Sequence, residues 1–254
     1  MLTQITRRNV LLGAVAASLA GCAVKQPIVL DRQAMAGIKR IGLPTVGVAG
    51  SPDVRVLNAV SDRMAGFGLI GAIGAMSGMV VRGNRSDSVR RMMAARGFDP
   101  GPALTAMLTA DLQAKGFTVV PIAADPKRSY LPSVAESPAY DAVLDCYVSI
   151  YGYHALDDSD DSPYRTIIGV PARLIGRGNV VLMEDTVAVS AGQTPPGPVP
   201  SGSPAPSPAP AGANMNRAGV FTSFSDVEKD PVVAIDAMRA VFETAAAGVV
   251  RRIT

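Results

Sequence analysis

The sequence is poor in the side chains that most often carry catalysis, bind metals or stack on nucleic-acid bases. It has no tryptophan, aromatic residues make up 5% of its 254 positions, and His154 is its single histidine. Scarce aromatic rings argue against a nucleic-acid partner bound by base stacking, and one histidine cannot form a multi-histidine metal centre. The G-x-S-x-G motif of serine hydrolases is missing too. We therefore expect a non-enzymatic protein without metal or cofactor, and an exposed His154.

Cysteine and charge are also scarce. Two cysteines exclude a disulfide framework, and Cys146 lies on the apolar side of a predicted strand, where we expect a buried, reduced thiol. Charged residues amount to 18%, whereas hydrophobic residues reach 48%. That proportion supplies a sizeable core and excludes a wholly disordered chain. The formal net charge of +3 is only a weak sign of acidic partners.

The amino terminus carries the most specific pattern. Arg7 and Arg8 precede an uncharged stretch at 9–20 that is rich in Leu, Ala and Val, and Leu19-Ala20-Gly21-Cys22 closes it. Basic, apolar and small-residue regions in this order predict a signal peptide at 1–21. The apolar stretch is shorter than the roughly 20 residues that a permanent membrane-spanning helix needs. Because the signal contains two arginines and no other charge, its removal lowers the net charge from +3 to +1.

Leu19-Ala20-Gly21-Cys22 resembles the lipobox of bacterial lipoproteins. The resemblance implies a diacylglycerol on the Cys22 sulfur, cleavage just before that residue, and a fatty acid such as palmitate on the new amino group. Several acyl chains on one residue give stable anchoring, at about 0.8 kcal/mol for each buried CH₂ group. The alternative is an ordinary signal peptide with an accidental cysteine.

The export route and the destination follow from the neighbouring residues. Segment 6–11, with Arg7 and Arg8, resembles a twin-arginine signal, and a general secretory signal with two arginines is the alternative. Ala23 stands where an aspartate would retain a lipoprotein at the inner membrane. The resemblance therefore implies the outer membrane as the site of the lipid anchor, with the protein facing the periplasm.

A G-x-G-x-x-G match at 66–71 is the one pattern that points to a nucleotide. A phosphate-binding loop of this kind follows a strand, whereas the residues before this match are predicted to be helical. Nucleotides are also scarce outside the cytoplasm. We therefore expect no nucleotide partner.

The mature chain is predicted to contain a lipidated tether at 22–36 and a single α/β domain at 37–254. Its mixed sheet is expected to contain an antiparallel three-strand meander and to be packed by helices, including a C-terminal helix. Strands follow from alternating apolar residues, and helices from 3.6-residue spacing bounded by Gly, Asp and Pro. The predicted strands are 38–48, 117–122, 141–153, 164–175, 179–190 and 220–224; the predicted helices are 54–65, 87–96, 100–115 and 231–252, the last with Val233, Met238, Val241, Phe242, Ala245 and Val249 toward the core.

Residues 64–81 form an uncharged run that five glycines interrupt. As a helix this run would be about 27 Å long, close to the roughly 30 Å thickness of the hydrocarbon core of a bilayer. Gly71, Gly74 and Gly78 would lie near one face, and the last two form a GxxxG match, which allows close helix approach in lipid. One interpretation is a buried hairpin or helix under the core. The other is membrane contact or self-association through these glycines.

Two polar segments are predicted to be loops. Residues 191–213 contain eight prolines among small residues, so we expect a disordered, solvated, extended loop. Four aspartates at 157–161 offer oxygen ligands for Ca²⁺, but the spacing, the glycine and the closing glutamate of an EF-hand are missing. We therefore interpret them as a solvated acidic loop.

The helix-to-strand passage at 104–122, the strand 141–153 that ends in Tyr151-Gly152-Tyr153, and the strand pair 166–175 and 180–190 follow one another in a recognisable order. This order is similar to the TolB amino-terminal-like domain of several envelope lipoproteins, including the periplasmic part of the curli-secretion lipoprotein and certain penicillin-binding-protein activators. The resemblance covers about residues 38–252. It implies a non-enzymatic domain that docks to other envelope proteins.

These observations lead to one functional hypothesis with two alternatives. The hypothesis is a lipid-anchored docking or accessory component of an envelope assembly or transport system, with an unidentified envelope protein as partner. The first alternative is an oligomeric assembly component that inserts segment 64–81 into the membrane. The second alternative is an enzyme.

Overall fold

The structure, a computed structural model, describes residues 28–30, 32–56, 83–155, 163–192 and 219–254. The strands of this part are β1 (Arg40–Pro44), β2 (Gly47–Val48), β3 (Asp53–Val56), β4 (Thr118–Ile122), β5 (Ala142–Val148), β6 (Ile150–Ala155), β7 (Tyr164–Ile175), β8 (Val181–Ser190) and β9 (Val220–Phe221). The helices are α1 (Arg32–Met35), α2 (83–95), α3 (Pro100–Ala114), α4 (Phe224–Lys229) and α5 (Pro231–Arg251), with a 3₁₀ turn at Arg177–Asn179.

All of these strands belong to one mixed sheet. β1 and β2 pair in parallel with β5, and β3 pairs in parallel with β6. β4 pairs in parallel with β1. β7 pairs antiparallel with β5 and β6 on one side and with β8 and β9 on the other. The predicted α/β class with an antiparallel meander is confirmed.

The sheet has two ends, which we call the lower and the upper end. The lower end contains the starts of β1, β4, β5 and β8 and the turn that follows β7; the upper end contains the start of β7, the end of β8 and the beginning of α5. β7 connects the two ends with 12 residues, which at about 3.3 Å per residue span more than 35 Å. Features at opposite ends are therefore well separated.

α3 and α5 pack side by side on one face of the sheet. Pro100 opens α3 after Asp99 in the N-cap position, and the helix ends before Gly116, whose φ of +87° suits glycine. Leu104, Leu108 and Leu112 recur every four residues and are fully buried. Burying a side chain of this size contributes about 1.5–3 kcal/mol.

The C-terminal helix supplies the other half of this apolar layer. α5 begins at Pro231, after Asp230 accepts a hydrogen bond from the N–H of Val233. Phe242 is fully buried and meets Phe98 edge to face, with ring centroids 5.3 Å apart. Val233 is 51% exposed, so its predicted place in the core is wrong: it lies in the first turn, beyond the edge of the apolar layer. The other predicted core residues of this helix are buried: Met238, Val241, Phe242, Ala245 and Val249.

An extra residue at Ser149 separates β5 from β6. Cys146 pairs with Ala172 and Ile150 with Gly169, so the strand uses one residue more than β7 over this interval, which is a β-bulge. The alternation shifts by one position after it. Tyr151 therefore faces the helices, where it meets Phe242; its predicted place on the polar face, and that of Ile150 on the apolar face, are wrong.

Two other local predictions are corrected. Residues 54–56 form part of β3 rather than the start of a helix, because they pair in parallel with β6. The predicted strand 220–224 is shortened to β9, and α4 begins immediately after it. Ser223 and Asp226 form a capping box there, each side chain accepting a backbone hydrogen bond of the other.

Several predictions fall on residues outside the described ranges. These are the signal peptide 1–21 with its recognition residues, Cys22, segment 64–81 with its three glycines, the aspartates of 157–161, and nearly all of the proline-rich loop 191–213. They remain predictions.

Candidate functional site

The described chain begins six residues after the predicted lipid attachment site and joins the sheet at once. The N–H of Ile28 donates to the carbonyl of Glu184 at 2.9 Å, and the N–H of Glu184 donates back to the carbonyl of Ile28 at 3.0 Å. This antiparallel bridge lies on the outer edge of β8. Leu30 and Met35 then pack against the core on the way to β1. The point at which the chain leaves the body toward Cys22 is therefore fixed beside β8.

His154 is not the exposed residue that the sequence predicts. Its side chain is 11% exposed, and its Nε2 atom lies 3.1 Å from Oδ2 of Asp53. The same carboxylate oxygen is 3.1 Å from Nη2 of Arg55. β3 brings these groups together because it pairs with β6, with Arg55 opposite His154. The histidine therefore belongs to a polar cluster near the upper end.

Cys146 lies where the sequence places it, on the face of β5 that packs against the helices. It is 1% exposed. Burial raises the pKa of its thiol far above the ordinary value, so the reactive thiolate is suppressed at neutral pH. The prediction of a buried, free cysteine is confirmed.

The opposite face of β5 carries a buried carboxylate that the sequence did not single out. Asp145 has no exposed surface. Its Oδ1 accepts a hydrogen bond from Nη1 of Arg128 at 2.7 Å, and its Oδ2 accepts bonds from Nε and Nη2 of Arg173 at 3.2 and 3.0 Å. The backbone N–H of Leu131 donates to the same Oδ2 at 2.8 Å. Paired carboxylate and guanidinium groups of this kind form strong, directional bonds.

These residues hold a loop over the sheet, and we call Arg128, Tyr130, Leu131, Asp145 and Arg173 the Asp145 cluster. Arg128 also donates to the carbonyl of its neighbour Ser129, and Arg173 donates to the carbonyl of Leu131. The guanidinium of Arg173 stacks on the ring of Tyr130 at 4.3 Å from the centroid. Burial raises the pKa of the Tyr130 hydroxyl, so the phenol stays neutral. Both oxygens of Asp145 and the guanidinium of Arg173 are thus engaged within the protein, whereas Nε of Arg128 is buried and has no hydrogen-bond partner among the described residues.

A second carboxylate organises the lower end. Asp141 accepts hydrogen bonds from Nη2 of Arg40 at 2.9 Å and from the backbone N–H groups of Lys39 and Arg40 at 3.1 and 3.0 Å. These contacts hold the pKa of Asp141 well below its usual range, with the Arg40 side chain as the largest cause. Nη2 of Arg177, in the turn after β7, lies 3.7 Å from the same carboxylate. The starts of β1 and β5 are thereby fastened to the β7–β8 turn.

A shallow recess of about 350 Å³ lies between this turn and the loop before β5. Its polar lining is occupied by internal bonds. Glu136 accepts from the N–H of Gly178 at 3.0 Å, Asn179 accepts from the N–H of Val134 at 3.1 Å, and Ser137 accepts from the N–H of Ala139 at 3.1 Å. Each of these side chains accepts a hydrogen bond from a backbone N–H group and so helps to fix the shape of the surface. Such a recess is better suited to contact with the surface of another molecule than to catalysis.

Large apolar side chains are exposed at two places in the described part of the chain. Ile28, Val29 and Val180 lie around the lower part of β8, and Val232 and Val233 lie at the start of α5, near the upper end. Tyr153 fixes the latter pair, because its hydroxyl donates to the carbonyl of Ala234 at 2.8 Å. Exposed apolar residues in groups are typical of contact surfaces.

The described ranges contain neither a membrane-spanning helix nor a cluster of metal ligands. Among those residues, no helix combines the length and the apolar character that crossing a membrane requires. No group of three or more metal-ligating side chains occurs among them either.

Sequence reasoning missed the Asp145 cluster, although signals were present. Asp145 interrupts an apolar strand and Arg173 interrupts another, a pattern that suggests a buried ion pair when the two strands are neighbours. The partner Arg128 comes from a loop without any periodic pattern, so its role depends on the tertiary structure. No family model matches this chain, and no curated protein matches it.

Proposed function

We propose that this protein is a bacterial envelope lipoprotein with a docking or accessory role and no catalytic activity of its own. Its anchor is the lipid on Cys22, its location is the periplasmic face of the outer membrane, and its folded part is a domain of the TolB amino-terminal-like type. The observation that carries the proposal is the lipobox pattern 19–22 placed six residues before Ile28. So short a connection keeps the folded part close to the membrane.

The order of the described elements supports the domain type. α3, β4, the meander of β5–β6, β7 and β8, and the final α5 follow one another as the resemblance implies. Asp145 and Arg173 of the Asp145 cluster and Glu136 of the recess form internal hydrogen bonds, which favours a structural role for these groups over a chemical one.

The start of α5 is the contact point that we assign to the partner protein. Val232 and Val233 are 44% and 51% exposed next to each other, and α4, which precedes them, carries Asp226 and Glu228. An apolar centre with a charged rim is typical of a transient protein interface. Tyr153, which holds the start of α5, lies opposite Thr166, so about 30 Å of β7 separates this surface from the lower end.

Replacing the lipidated cysteine tests the anchor. Cys22→Ser is expected to move the protein from the membrane fraction to the soluble periplasmic fraction, and to abolish the mass increase of the mature amino-terminal peptide. Cys146→Ala is the matched control, because it removes the other thiol from a buried site without altering the lipobox. Equal membrane retention of Cys22→Ser and the control would overturn the proposal.

Site-specific photocrosslinking in intact cells tests the docking role. A photoreactive residue at Val233 is expected to give one adduct of defined size, and Val232→Asp is expected to abolish it. A photoreactive residue at Glu243, which is exposed further along α5, is the control and is expected to give none. Identical adducts from both positions would indicate random encounters and contradict a specific surface.

A further inference from the structure

The outer edge of β8 is open beyond its bridge to Ile28. Glu184 exchanges two backbone hydrogen bonds with Ile28, so its N–H and carbonyl groups point away from β7. Because these directions alternate along an antiparallel strand, the backbone groups of Thr186, Ala188 and Ser190 point the same way. No other residue of the described ranges pairs with this edge. β8 therefore presents a row of hydrogen-bonding groups that can accept another strand.

This edge lacks the features that usually protect an outer strand. Residues 186–190 are uncharged, contain no proline and continue β8 without a bulge, whereas charge, proline, short length or a bulge normally shields an exposed edge. The outer strand β4 contains Pro121, and the outer strand β3 has four residues, with Asp53 and Arg55 among them. An unshielded edge of this length is expected to be covered by a strand.

The segment that precedes Ile28 has the direction and the length to cover this edge. The bridge is antiparallel, so the chain before Ile28 is directed toward the end of β8. Cys22 precedes Ile28 by six positions, and Ser190 follows Glu184 by six positions. In a continued register the hydrogen-bonded pairs recur at every second residue. They are Gln26 with Thr186, Val24 with Ala188, and Cys22 with Ser190.

The residues beside the bridge are compatible with this register. Pro27 lies between two hydrogen-bonded positions, where backbone groups are directed away from β8, so its missing N–H removes no bond of the ladder. The N–H of Thr186 donates to the side chain of Asp185 at 2.7 Å. In a continued strand the carbonyl of Gln26 takes the place of that acceptor, and Asp185 keeps its ion pair with Arg252.

We propose that residues 22–27 form an added strand on the outer edge of β8, which holds Cys22 and its lipid at the upper end of the sheet. The lipid on Cys22 rests on the proposed function, and the strand pairing goes beyond it. A paired tether fixes the end of the sheet that faces the membrane, which an unpaired tether does not. The upper end therefore faces the bilayer, and the lower end is directed away from it.

This position of the anchor also specifies the kind of partner that the start of α5 fits. The end of β8 and the first turns of α5 meet at Gly219: a Cβ atom there would lie 2.8 Å from Cβ of Ala191 and 3.3 Å from Cβ of Ala237. Val232 and Val233 lie about one turn earlier in α5. The exposed pair thus lies at the anchored end, so its partner is a protein held in or on the same membrane.

Engineered disulfides in the lipidated full-length protein test the register. Val24→Cys/Ala188→Cys joins two residues of one hydrogen-bonded pair, whose Cα atoms are about 5.5 Å apart, a separation that a disulfide spans. The matched control, Val24→Cys/Thr186→Cys, moves one cysteine by two positions, beyond the reach of a disulfide in this register. Both variants are made in the Cys146→Ala background, and the Cys22 sulfur is blocked by its lipid.

The membrane fraction is oxidised, and disulfide-linked peptides are quantified by mass spectrometry. Val24→Cys/Ala188→Cys is expected to form a disulfide within one chain in most molecules, several times more than the control. Equal yields in the two variants, or a higher yield in the control, would overturn the register. A predominant disulfide-linked dimer of Ala188→Cys alone would also overturn the proposal, because a second copy would then occupy the edge.

Fluorescence quenching on vesicles tests the orientation. A label at Val233→Cys, at the upper end, is expected to lose more emission to a headgroup-attached quencher than a label at Gln113→Cys, in the last turn of α3. Val24→Pro removes an N–H that the ladder uses and is expected to reduce this difference. Lys25→Pro is the matched control, because its N–H points away from β8, and it is expected to preserve the difference.

Equal quenching at the two labels, or stronger quenching at Gln113, would overturn the orientation. Failure of the wild-type protein to float with the vesicles is a different result. It would contradict the lipid anchor of the proposed function, whereas the disulfide yields would still decide whether residues 22–27 pair with β8.

Discussion

The two faces of the sheet are covered in different ways, and adjacent residues of β5 show it best. Leu144 and Asp145 both have no exposed surface, yet they point to opposite faces. Leu144 lies under the helices, among apolar side chains. Asp145 lies under the loop before β5 and is bound by two arginines and one backbone N–H.

The difference follows from what each covering element can offer. α3 and α5 present stripes of leucine, alanine, valine and phenylalanine, so burial of apolar area stabilises that face without directional bonds. The loop before β5 has few large apolar residues and several basic and polar ones. It is fastened by hydrogen bonds instead, and such a cluster depends on all of its members. Loss of one member leaves the others buried without a partner.

The largest expected effect is that of Asp145→Ala. Removal of this carboxylate leaves Arg128 and Arg173 close together without their counterion, and breaking a buried ion pair in this way costs about 3–5 kcal/mol. The free energy of unfolding, measured by urea denaturation, is expected to fall by that amount. The triple variant Asp145→Leu/Arg128→Met/Arg173→Met removes the charges together and is expected to recover much of the loss. A loss below about 1 kcal/mol in the single variant would show that solvent reaches the cluster.

Leu144→Ala is the matched change on the other face, with the second largest expected effect. Truncating a buried leucine costs about 3 kcal/mol, through lost apolar burial and the cavity that remains. Limited proteolysis distinguishes the two variants when they are compared under conditions of equal free energy of unfolding. Cleavage within 123–141 is expected to increase in Asp145→Ala. In Leu144→Ala it is expected to stay near the wild-type rate. Equal cleavage in both would mean that the loop follows global unfolding alone.

The helix-covered face could be predicted from the sequence because its signals are local. The spacing of Leu104, Leu108 and Leu112 and the Pro and Gly residues around α3 determine that helix without its neighbours. β7 is predicted with its observed bounds, since apolar alternation and a glycine-rich turn define it. The class of the fold follows from such elements.

The loop-covered face could not be predicted because it depends on register. The bulge at Ser149 changes which side chains of β6 face the helices, and no residue type at that position predicts a bulge. Residues 54–56 are a strand only because β6 lies beside them, which is also what buries His154. Among the candidate site residues, the lipobox is a linear pattern and is readable as such, whereas Arg128, Asp145 and Arg173 meet only after folding.

The smallest effect is expected for Asp141→Asn, which changes the carboxylate at the lower end rather than the buried Asp145. The pKa of Asp141 is lowered, first by the Arg40 side chain and then by two backbone N–H groups. The folded state therefore stabilises the ionised carboxylate more than the unfolded state does. The stabilisation is therefore present above the unfolded pKa of about 3.9 and is lost as the pH falls below it, through the folded value. Asp141→Asn is expected to lower the free energy of unfolding at pH 7 modestly and to flatten its decline below pH 4.

Asp226→Asn is the control: the pKa of Asp226 is also lowered, by Lys229 and the capping serine, so each variant should remove only part of the slope. An unchanged acid profile in Asp141→Asn would show that the Arg40 contact persists without the charge, and that the lower end is fastened by the backbone bonds instead.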